Sequence, residues 1–438
     1  MKISTQLASE YIKKTFTDKD RVLLINPPVV ESRYQWVKWN QPLDLLKLSS
    51  YLKTNVGCEV LLFDFMLPKA GKVGRSKCSS DHEIEVCGHR YPLWWYGKSE
   101  TDFSKYLDAF SYSTRPTQVL ITSLTSYWWK GISYIVPLIK SKIDDVPIAV
   151  YGPYASLETE HASENSHANV VLTGAIDLTK CPADFAPYGR QKPEFCGLDL
   201  RDDNWPQEVI DKAQLGVTDF VFFNDDILQD APHALLPKLR ILNKRTSSGK
   251  RRIRFHALCG LQPSSFTEEA AKEMKELFVS LNFEYEVGDD KELNVEAYQK
   301  AKAAYEAVNF NLDADQLTGF VLIGLPSDNL ERIIRHTLNL FQIFGSVILK
   351  PYTPSPGKEY DDYRKHLETG EIERLSPHFF PFASAQINDL THQEYDELYT
   401  LAASLNCKVR SKAFDLFPGT LAFEMIKTSL SREVWNLE

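Results

Sequence analysis

Cysteine is scarce in this sequence, and its spacing excludes the commonest cysteine-based sites. Seven cysteines lie at positions 58, 78, 87, 181, 196, 259 and 407 of 438 residues, and none belongs to a Cys-x3-Cys-x2-Cys run. An odd number of scattered cysteines does not indicate a disulfide framework. Cys78, His82, Cys87 and His89 form a local group of metal-ligating residue types, and their spacing is not that of a common zinc site. We interpret that group as a coincidence within a variable loop.

Long apolar runs and an excess of positive charge are also missing. No stretch approaches the ~20 apolar residues that a membrane span needs, and residues 1–6 lack the apolar region of a secretory signal. The formal net charge is −9, which argues against a nucleic-acid surface; the basic run at 244–254 favours a solvated loop. With 43% hydrophobic and 25% charged residues, the composition is that of a soluble globular protein. We expect a cytoplasmic location and neither a membrane nor a nucleic-acid partner.

The first 176 residues alternate apolar runs with amphipathic stretches, which is typical of an α/β domain. The pattern predicts a doubly wound, Rossmann-like parallel sheet, in which ligands bind at the carboxyl ends of the strands. The predicted strands are Val22–Asn26, Glu59–Asp64, Gln118–Thr122, Pro147–Tyr151 and Asn169–Leu172, with helices at 42–54, 102–111, 129–142 and 155–165.

The rest of the chain divides into three further segments. Residues 177–204 are rich in proline without periodicity, which favours a linker or loop. Residues 205–360 resume the βα alternation and predict a partial βα barrel. Residues 361–438 form a mixed carboxyl-terminal extension, mostly helical at 391–405. Within the barrel, the predicted strands are 219–223, 252–256, 283–287, 318–323 and 346–350, and the predicted helices are 206–215, 232–243, 267–280, 294–308 and 329–343.

Small and hydroxylated residues follow neighbouring strands of the predicted first sheet. They would let a flat ligand approach the backbone and would supply donors to hold it. The alternative is that these are ordinary βα turns, with Ser126 capping the next helix. The candidate binding residues are Ser123, Thr125, Ser126, Tyr127, Gly152, Tyr154 and Gly174.

A second polar group is expected at the mouth of the barrel. Asn224, Asp225 and Asp226 follow one predicted strand, and His256 ends the next. Carboxyl ends of barrel strands share one face, so the four residues are predicted to line one pocket. The alternatives are a turn or helix cap for Asp226 and a structural hydrogen-bonding role for His256.

Several motifs, taken in order, resemble those of the cobalamin-binding radical-SAM family. The similarity covers roughly residues 20–405. Each motif has little specificity by itself, whereas their order and spacing together are specific. The motifs are Val22-Leu23-Leu24-Ile25-Asn26-Pro27-Pro28, Thr122 through Trp129, Val146 through Gly152, Tyr154 through Leu157, Phe222 through Asp226, Arg252 through Leu261, Val321 through Pro326, and Pro351 through Gly357.

The resemblance implies cobalamin held base-off over a barrel that binds a four-iron four-sulfur cluster and S-adenosylmethionine. This chain departs from the family where the cluster would be bound, because at least two of the three cluster thiolates have no counterpart and the loop is shortened. It also lacks Asp-x-His-x-x-Gly, so a histidine lower ligand is not indicated.

Two functional hypotheses follow from this departure. The leading one is a cobalamin-binding protein that has lost radical chemistry and acts as partner subunit of an active radical-SAM enzyme or another protein, as a carrier, or as a sensor. The alternative is an active enzyme, catalysing methyl transfer or rearrangement, with a non-standard cluster built from Cys181, Cys196 and Cys259. Polar methyl transfer through methylcobalamin also stays open.

Overall fold

The structure is a computed structural model that describes most, but not all, of the chain. The described residues are 4–32, 42–69, 73–78, 83–86, 89–122, 125–188, 195–200, 204–222, 224, 226–229, 232–246, 252–288, 292–312, 316–325, 327–352, 361, 372, 388 and 390–411.

Sixteen strands and twelve α-helices are named here in chain order within the described residues. The strands are β1 Ser4–Leu7, β2 Arg21–Asn26, β3 Val29–Ser32, β4 Glu59–Asp64, β5 Arg75–Lys77, β6 Glu83–Val86, β7 His89–Tyr96, β8 Gln118–Thr122, β9 Ile148–Tyr151, β10 Val170–Thr173, β11 Phe195–Leu198, β12 Asp219–Phe222, β13 Arg254–Leu261, β14 Phe278–Phe283, β15 Leu317–Ile323 and β16 Val347–Pro351. The helices are α1 Ala8–Thr15, α2 Leu43–Tyr51, α3 Glu100–Asp108, α4 Trp129–Lys142, α5 Pro153–Leu157, α6 Thr159–Asn165, α7 Trp205–Gln214, α8 Pro232–Thr246, α9 Glu268–Met274, α10 Val295–Ala307, α11 Leu330–Phe344 and α12 His392–Ser411.

The chain folds into two compact units. The first contains Met1–Lys192, Asp202–Asn204 and Thr353–Phe379, and the second contains Pro193–Arg201, Trp205–Tyr352 and Phe380–Glu438. Each unit is built around one parallel six-stranded sheet, so the α/β class predicted from the sequence is confirmed.

The first sheet is wound in two directions. Its strand order is β1-β10-β9-β8-β2-β4, so the chain moves from β2 outward to β4 and then returns to β8 on the opposite side of β2. When the edge strand β1 is left out and β2, β4, β8, β9 and β10 are counted as strands 1 to 5, their order across the sheet is 2-1-3-4-5. This is an order found in doubly wound sheets, and its direction reverses between β2 and β8. Apolar side chains are buried on both faces, against α3, α4, α5 and α6 on one side and α1 and α2 on the other.

A small antiparallel sheet, which the sequence pattern did not predict, belongs to the first unit. Strand β7 pairs with β3, β5 and β6. Trp95 on β7 is buried in the same core as Phe65 and Phe103, so this sheet shares the hydrophobic core of the parallel one.

The second sheet is wound in one direction only. Its order, β11-β12-β13-β14-β15-β16, follows the chain. Right-handed crossovers in a constant direction place all the connecting helices on the same face. Phe222 contacts Trp205 of α7, Phe283 stacks on Phe344 of α11, and α8, α9 and α10 pack beside these two helices. We call the opposite side, which carries Asp219, His256 and Ser280, the open face.

Residues 177–188 are not the separate linker that their composition predicted. Asp184 accepts hydrogen bonds from Ser49 at 2.7 Å and from Lys53 at 2.6 Å, and the Tyr188 hydroxyl donates to Asp64 at 2.8 Å. These contacts hold the segment on α2 and on the end of β4, within the first unit.

Element boundaries in the second unit also differ from the prediction, and the strand predicted at 283–287 is β14 at Phe278–Phe283. Strand β13 runs to Leu261 rather than ending at His256. Helix α9 ends at Met274, and β14 begins at Phe278, where a helix to residue 280 was predicted. Ser280 therefore lies on a strand, and His256 lies near the beginning of one.

Candidate functional site

The carboxyl edge of the first sheet brings together most of the predicted binding residues. Thr125 precedes a 3-10 turn formed by Ser126, Tyr127 and Trp128, which leads into α4. The N-cap of α4 is Trp128, so the interpretation of Ser126 as the cap of that helix is wrong. Ser123 lies outside the described residues.

On the α4 side of this edge, aromatic rings fill the space beyond β8 and β9. The ring of Trp129 contacts that of His161, with centroids 4.8 Å apart. Tyr154, fully buried, is bonded through its hydroxyl to His161 Nδ1 at 2.8 Å. Tyr127 packs against the same core, and burial raises the pKa of its phenol. Among the described residues, the α4 side of this edge is therefore occupied by packed aromatic rings.

The α2 side of the same edge differs in one important respect. Tyr151, the last residue of β9, is 6% exposed and packs with the core beneath α1 and α2. Its hydroxyl is directed towards Thr122 and Asp44, yet no described residue makes a hydrogen bond of good geometry with it. Burial raises the pKa of this phenol, so the hydroxyl keeps its proton and has a donor available. A buried polar atom of this kind is expected to have a partner.

The two candidate glycines owe their identity to backbone geometry. Gly152 has φ +105° and ψ −166°, a conformation that essentially only glycine adopts. Gly174 has φ +78°, and its N–H donates to Ser156 Oγ at 3.2 Å, which ties the end of β10 to α5. Replacing Gly152 would therefore strain the backbone as well as obstruct a ligand.

A buried carboxylate lies at the other end of this edge. Asp64 accepts from the Asn26 amide at 2.7 Å, from the Met66 N–H at 2.9 Å and from Tyr188 at 2.8 Å. Asn26 and Asp64 end the paired strands β2 and β4. Both ends were visible in the predicted strands, so a search for polar residues at strand ends would have found this pair.

In the second unit, the predicted pocket residues divide into two groups. Asn224 accepts from the Leu200 N–H at 2.8 Å and donates to Asp199 at 3.3 Å, while Asp226 Oδ1 accepts from the Leu228 N–H at 3.0 Å. Burial raises the pKa of Asp226. Both residues follow the carboxyl end of β12, and Asp225 lies outside the described residues.

His256 is not with them. It is the third residue of β13, near the amino end of the sheet, because the strand continues five residues beyond it. Its Nε2 lies 3.0 Å from Asp219 Oδ1, and its Nδ1 lies 2.8 Å from Ser280 Oγ. Asp219 also accepts from Arg254 at 2.7 Å and Thr218 at 2.7 Å. The single four-residue pocket predicted from the sequence is therefore wrong.

The cysteines proposed for a non-standard cluster do not form a site among the described residues. Cys196 on β11 is completely buried, and burial raises the pKa of its thiol, with Glu208 and Lys212 of α7 as its nearest charges. It therefore packs between the sheet and α7. Within the described part of the chain, no group of three His, Cys, Asp or Glu side chains is arranged to hold a metal ion.

Comparison with known proteins gives no assignment: no family model matches the chain, and no curated protein is significantly similar to it. Among the described helices, none combines the length and apolar character that crossing a bilayer requires.

Proposed function

We propose that this chain is a cobalamin-binding protein whose second unit is a radical-SAM-like partial barrel without the cluster that cleaves S-adenosylmethionine. It would act as a non-radical partner subunit, a carrier or a sensor. The observation that carries the proposal is the carboxyl edge of the first sheet, where Tyr151 presents a buried hydroxyl donor at the end of β9, next to β8. The strand order reverses on the other side of β8, between β8 and β2.

The residues on the α2 side of the edge fit such a ligand better than those on the α4 side. Gly152 keeps the end of β9 free of a side chain, and the neighbouring hydroxyl of Tyr151 can donate to an amide or phosphate oxygen of the cofactor. Cobalamin, when bound, would supply a cobalt able to carry a methyl group. The chain's own part is to hold that cofactor and shield it from water.

The second unit supports a scaffold rather than a radical enzyme. Its one-directional sheet agrees with a partial barrel, but its buried Cys196 faces a helix and cannot serve a cluster at the strand ends. The alternative of an active enzyme using Cys181, Cys196 and Cys259 therefore loses its geometric support.

Titration with hydroxocobalamin, followed by visible absorption, tests the proposal. Tyr151→Phe should weaken binding about 3- to 10-fold, which corresponds to one lost hydrogen bond. Tyr154→Phe, the matched control on the opposite side of the sheet, should bind as well as the wild type. Absence of uptake by the folded wild-type protein would exclude the proposal.

The same pair of variants gives a second measurement without ligand. Tyr151→Phe removes a hydroxyl that lacks a good partner, so it should leave the free energy of unfolding unchanged or higher. Tyr154→Phe removes the bond to His161 and should cost about 1 kcal/mol. Urea unfolding separates the two, and equal destabilisation would show that the Tyr151 hydroxyl is already satisfied within the protein.

A further inference from the structure

The open face of the second sheet contains a chain of three side chains from three adjacent strands. Asp219 begins β12, His256 is on β13 and Ser280 is on β14. Val221, two residues after Asp219 and on the same face of β12, pairs with His256, and His256 pairs with Ser280. The side chains of Asp219, His256 and Ser280 therefore lie on one face of the sheet. The joining distances are 3.0 Å from carboxylate to imidazole and 2.8 Å from imidazole to hydroxyl.

The chemistry of the three groups fixes where each proton lies. Hydrogen bonds from His256, Arg254 and Thr218 lower the pKa of Asp219, against the opposing effect of its burial, so it is ionised at neutral pH. A carboxylate only accepts, so His256 Nε2 carries the proton and donates it. In the neutral imidazole, Nδ1 then has a free lone pair that can accept from the Ser280 hydroxyl. An imidazole placed between a carboxylate and a hydroxyl in this way can act as general base towards the serine, although its two ring nitrogens are exchanged relative to the usual serine triad.

Solvent reaches this chain of side chains through His256, because Ser280 itself is only 8% exposed. The side chain of His256 is 21% exposed. Leu258 is 39% exposed and Ile348 is 43% exposed. The alternating burial of β13 puts Leu258 on the face of His256, and the register from β14 through β16 puts Ile348 on that face as well. Ile348 is on the edge strand β16, three strands from His256, so Leu258 is the exposed aliphatic side chain that lies beside the relay and suits a short acyl group.

From this geometry we propose that Ser280, His256 and Asp219 form a serine acyl-transfer site that hydrolyses carboxylic esters with a short apolar acyl chain. Ser280 Oγ bonds to the carbonyl carbon while its proton passes to His256 Nδ1. The bond from that carbon to the alcohol oxygen then breaks, and the alcohol leaves with the proton. Water, deprotonated by His256 in the same way, releases the acid and restores Ser280. This site is independent of the proposed cobalamin function.

A fluorophosphonate probe tests the nucleophile directly, because Ser280 Oγ would bond to phosphorus as fluoride leaves. We expect mass spectrometry of the full-length protein to locate the adduct on Ser280, and p-nitrophenyl butyrate to be hydrolysed. Ser280→Ala should lose both signals. Ser346→Ala, a control serine whose hydroxyl bonds to Thr318, should keep both.

Two conservative variants test the relay. Asp219→Asn should lower the labelling rate by on the order of 10³- to 10⁴-fold, because an amide donor would leave the imidazole with a proton on the nitrogen that faces the serine. His256→Asn should lower it as strongly. Circular dichroism and thermal melting confirm that each variant is folded. No adduct on Ser280 in the folded wild-type protein, or equal labelling of folded His256→Asn, would overturn the proposal.

Discussion

At the scale of single residues, Asp184 shows how one side chain decides where a segment belongs. Burial alone would raise the pKa of its carboxyl, but bonds from Lys53, Ser49 and the Ala186 N–H outweigh that effect and lower it. The folded state therefore favours the ionised form. The carboxylate of Asp184 contributes its full stabilisation above the ordinary aspartate pKa, near 3.8. That stabilisation is lost as the pH falls from this value towards the lower pKa of Asp184 in the folded protein.

Asp184→Asn should therefore cost about 2 kcal/mol of unfolding free energy at neutral pH, as expected for hydrogen bonds to a charged group. It should also reduce the stability that is lost between about pH 6 and pH 3. Urea unfolding at the two pH values measures both effects. Asp177→Asn is the control, because Asp177 is exposed and bonds only to Thr179. An unchanged pH dependence in Asp184→Asn would contradict this account.

The residues of the site show which parts of it could be predicted. Gly152 and Tyr154 follow a strand whose apolar run is unambiguous, so their position at the carboxyl edge was predictable. The role of Tyr151 was not predictable, because whether its hydroxyl is available to a ligand depends on which face of the sheet the side chain occupies. Asp219 and Ser280 are 61 positions apart (280 − 219). Strand register brings both of them to His256, and local sequence patterns do not encode that register.

At the scale of elements, the buried strands of the first sheet were predicted accurately, whereas the exposed strand β1 and, in the second sheet, the buried strand β11 and most of β14 were missed. Glu59–Asp64 and Gln118–Thr122 have their predicted bounds, because each consists of an unbroken apolar run between two polar residues. Strand β1 is exposed along its whole length and has no such signature. Strand β13 extends five residues beyond its predicted end at residue 256. The end of α9 was missed because residues 275–280 continue an apolar spacing compatible with a helix.

Helix α4 provides a test of element packing. Gly131 faces Pro28, and a Cβ built on it would lie 1.9 Å from the Pro28 carbonyl oxygen. Glycine to alanine in a helix normally stabilises by about 1 kcal/mol, but here the backbone of the β2–β3 connection would have to move.

Gly131→Ala should therefore lower the unfolding free energy by more than about 2 kcal/mol, in the range of severe core overpacking. Gly345→Ala is a suitable comparison, since nothing lies within 4 Å of its Cβ position and its φ of +75° is the source of strain. That variant should cost only about 1 to 2 kcal/mol. Thermal melting of both proteins measures the difference, and a stabilised Gly131→Ala would refute the contact.

At the scale of the whole molecule, two parallel sheets with different winding carry two different proposals. The reversal between β2 and β8 gives the first sheet a ligand-binding edge. The constant direction of the second leaves one face without its own helices. This division was predictable in outline from the βα alternation, whereas the strand orders came only from the structure.

Hydrogen exchange read by mass spectrometry should locate ligand binding on the molecule. With hydroxocobalamin at about 100 times its dissociation constant, bound protein gains about 2.7 kcal/mol of stability. We expect added protection in α2, β8 and β9 and no change in β12, β13 and β14. Protection confined to the second unit would place the cofactor elsewhere, and protection in neither unit would argue against binding.

The pairing of β1 with β10 has a consequence for how the protein is made. Ser4 pairs with Val170, so the ribosome must add 166 further residues (170 − 4) before the partner of the first strand exists. At about 5–20 residues per second, β1 waits on the order of 10 to 30 seconds during translation. Over that time β2, β4, β8 and β9 can assemble. Strand β1 thus joins its sheet after these four strands have been translated.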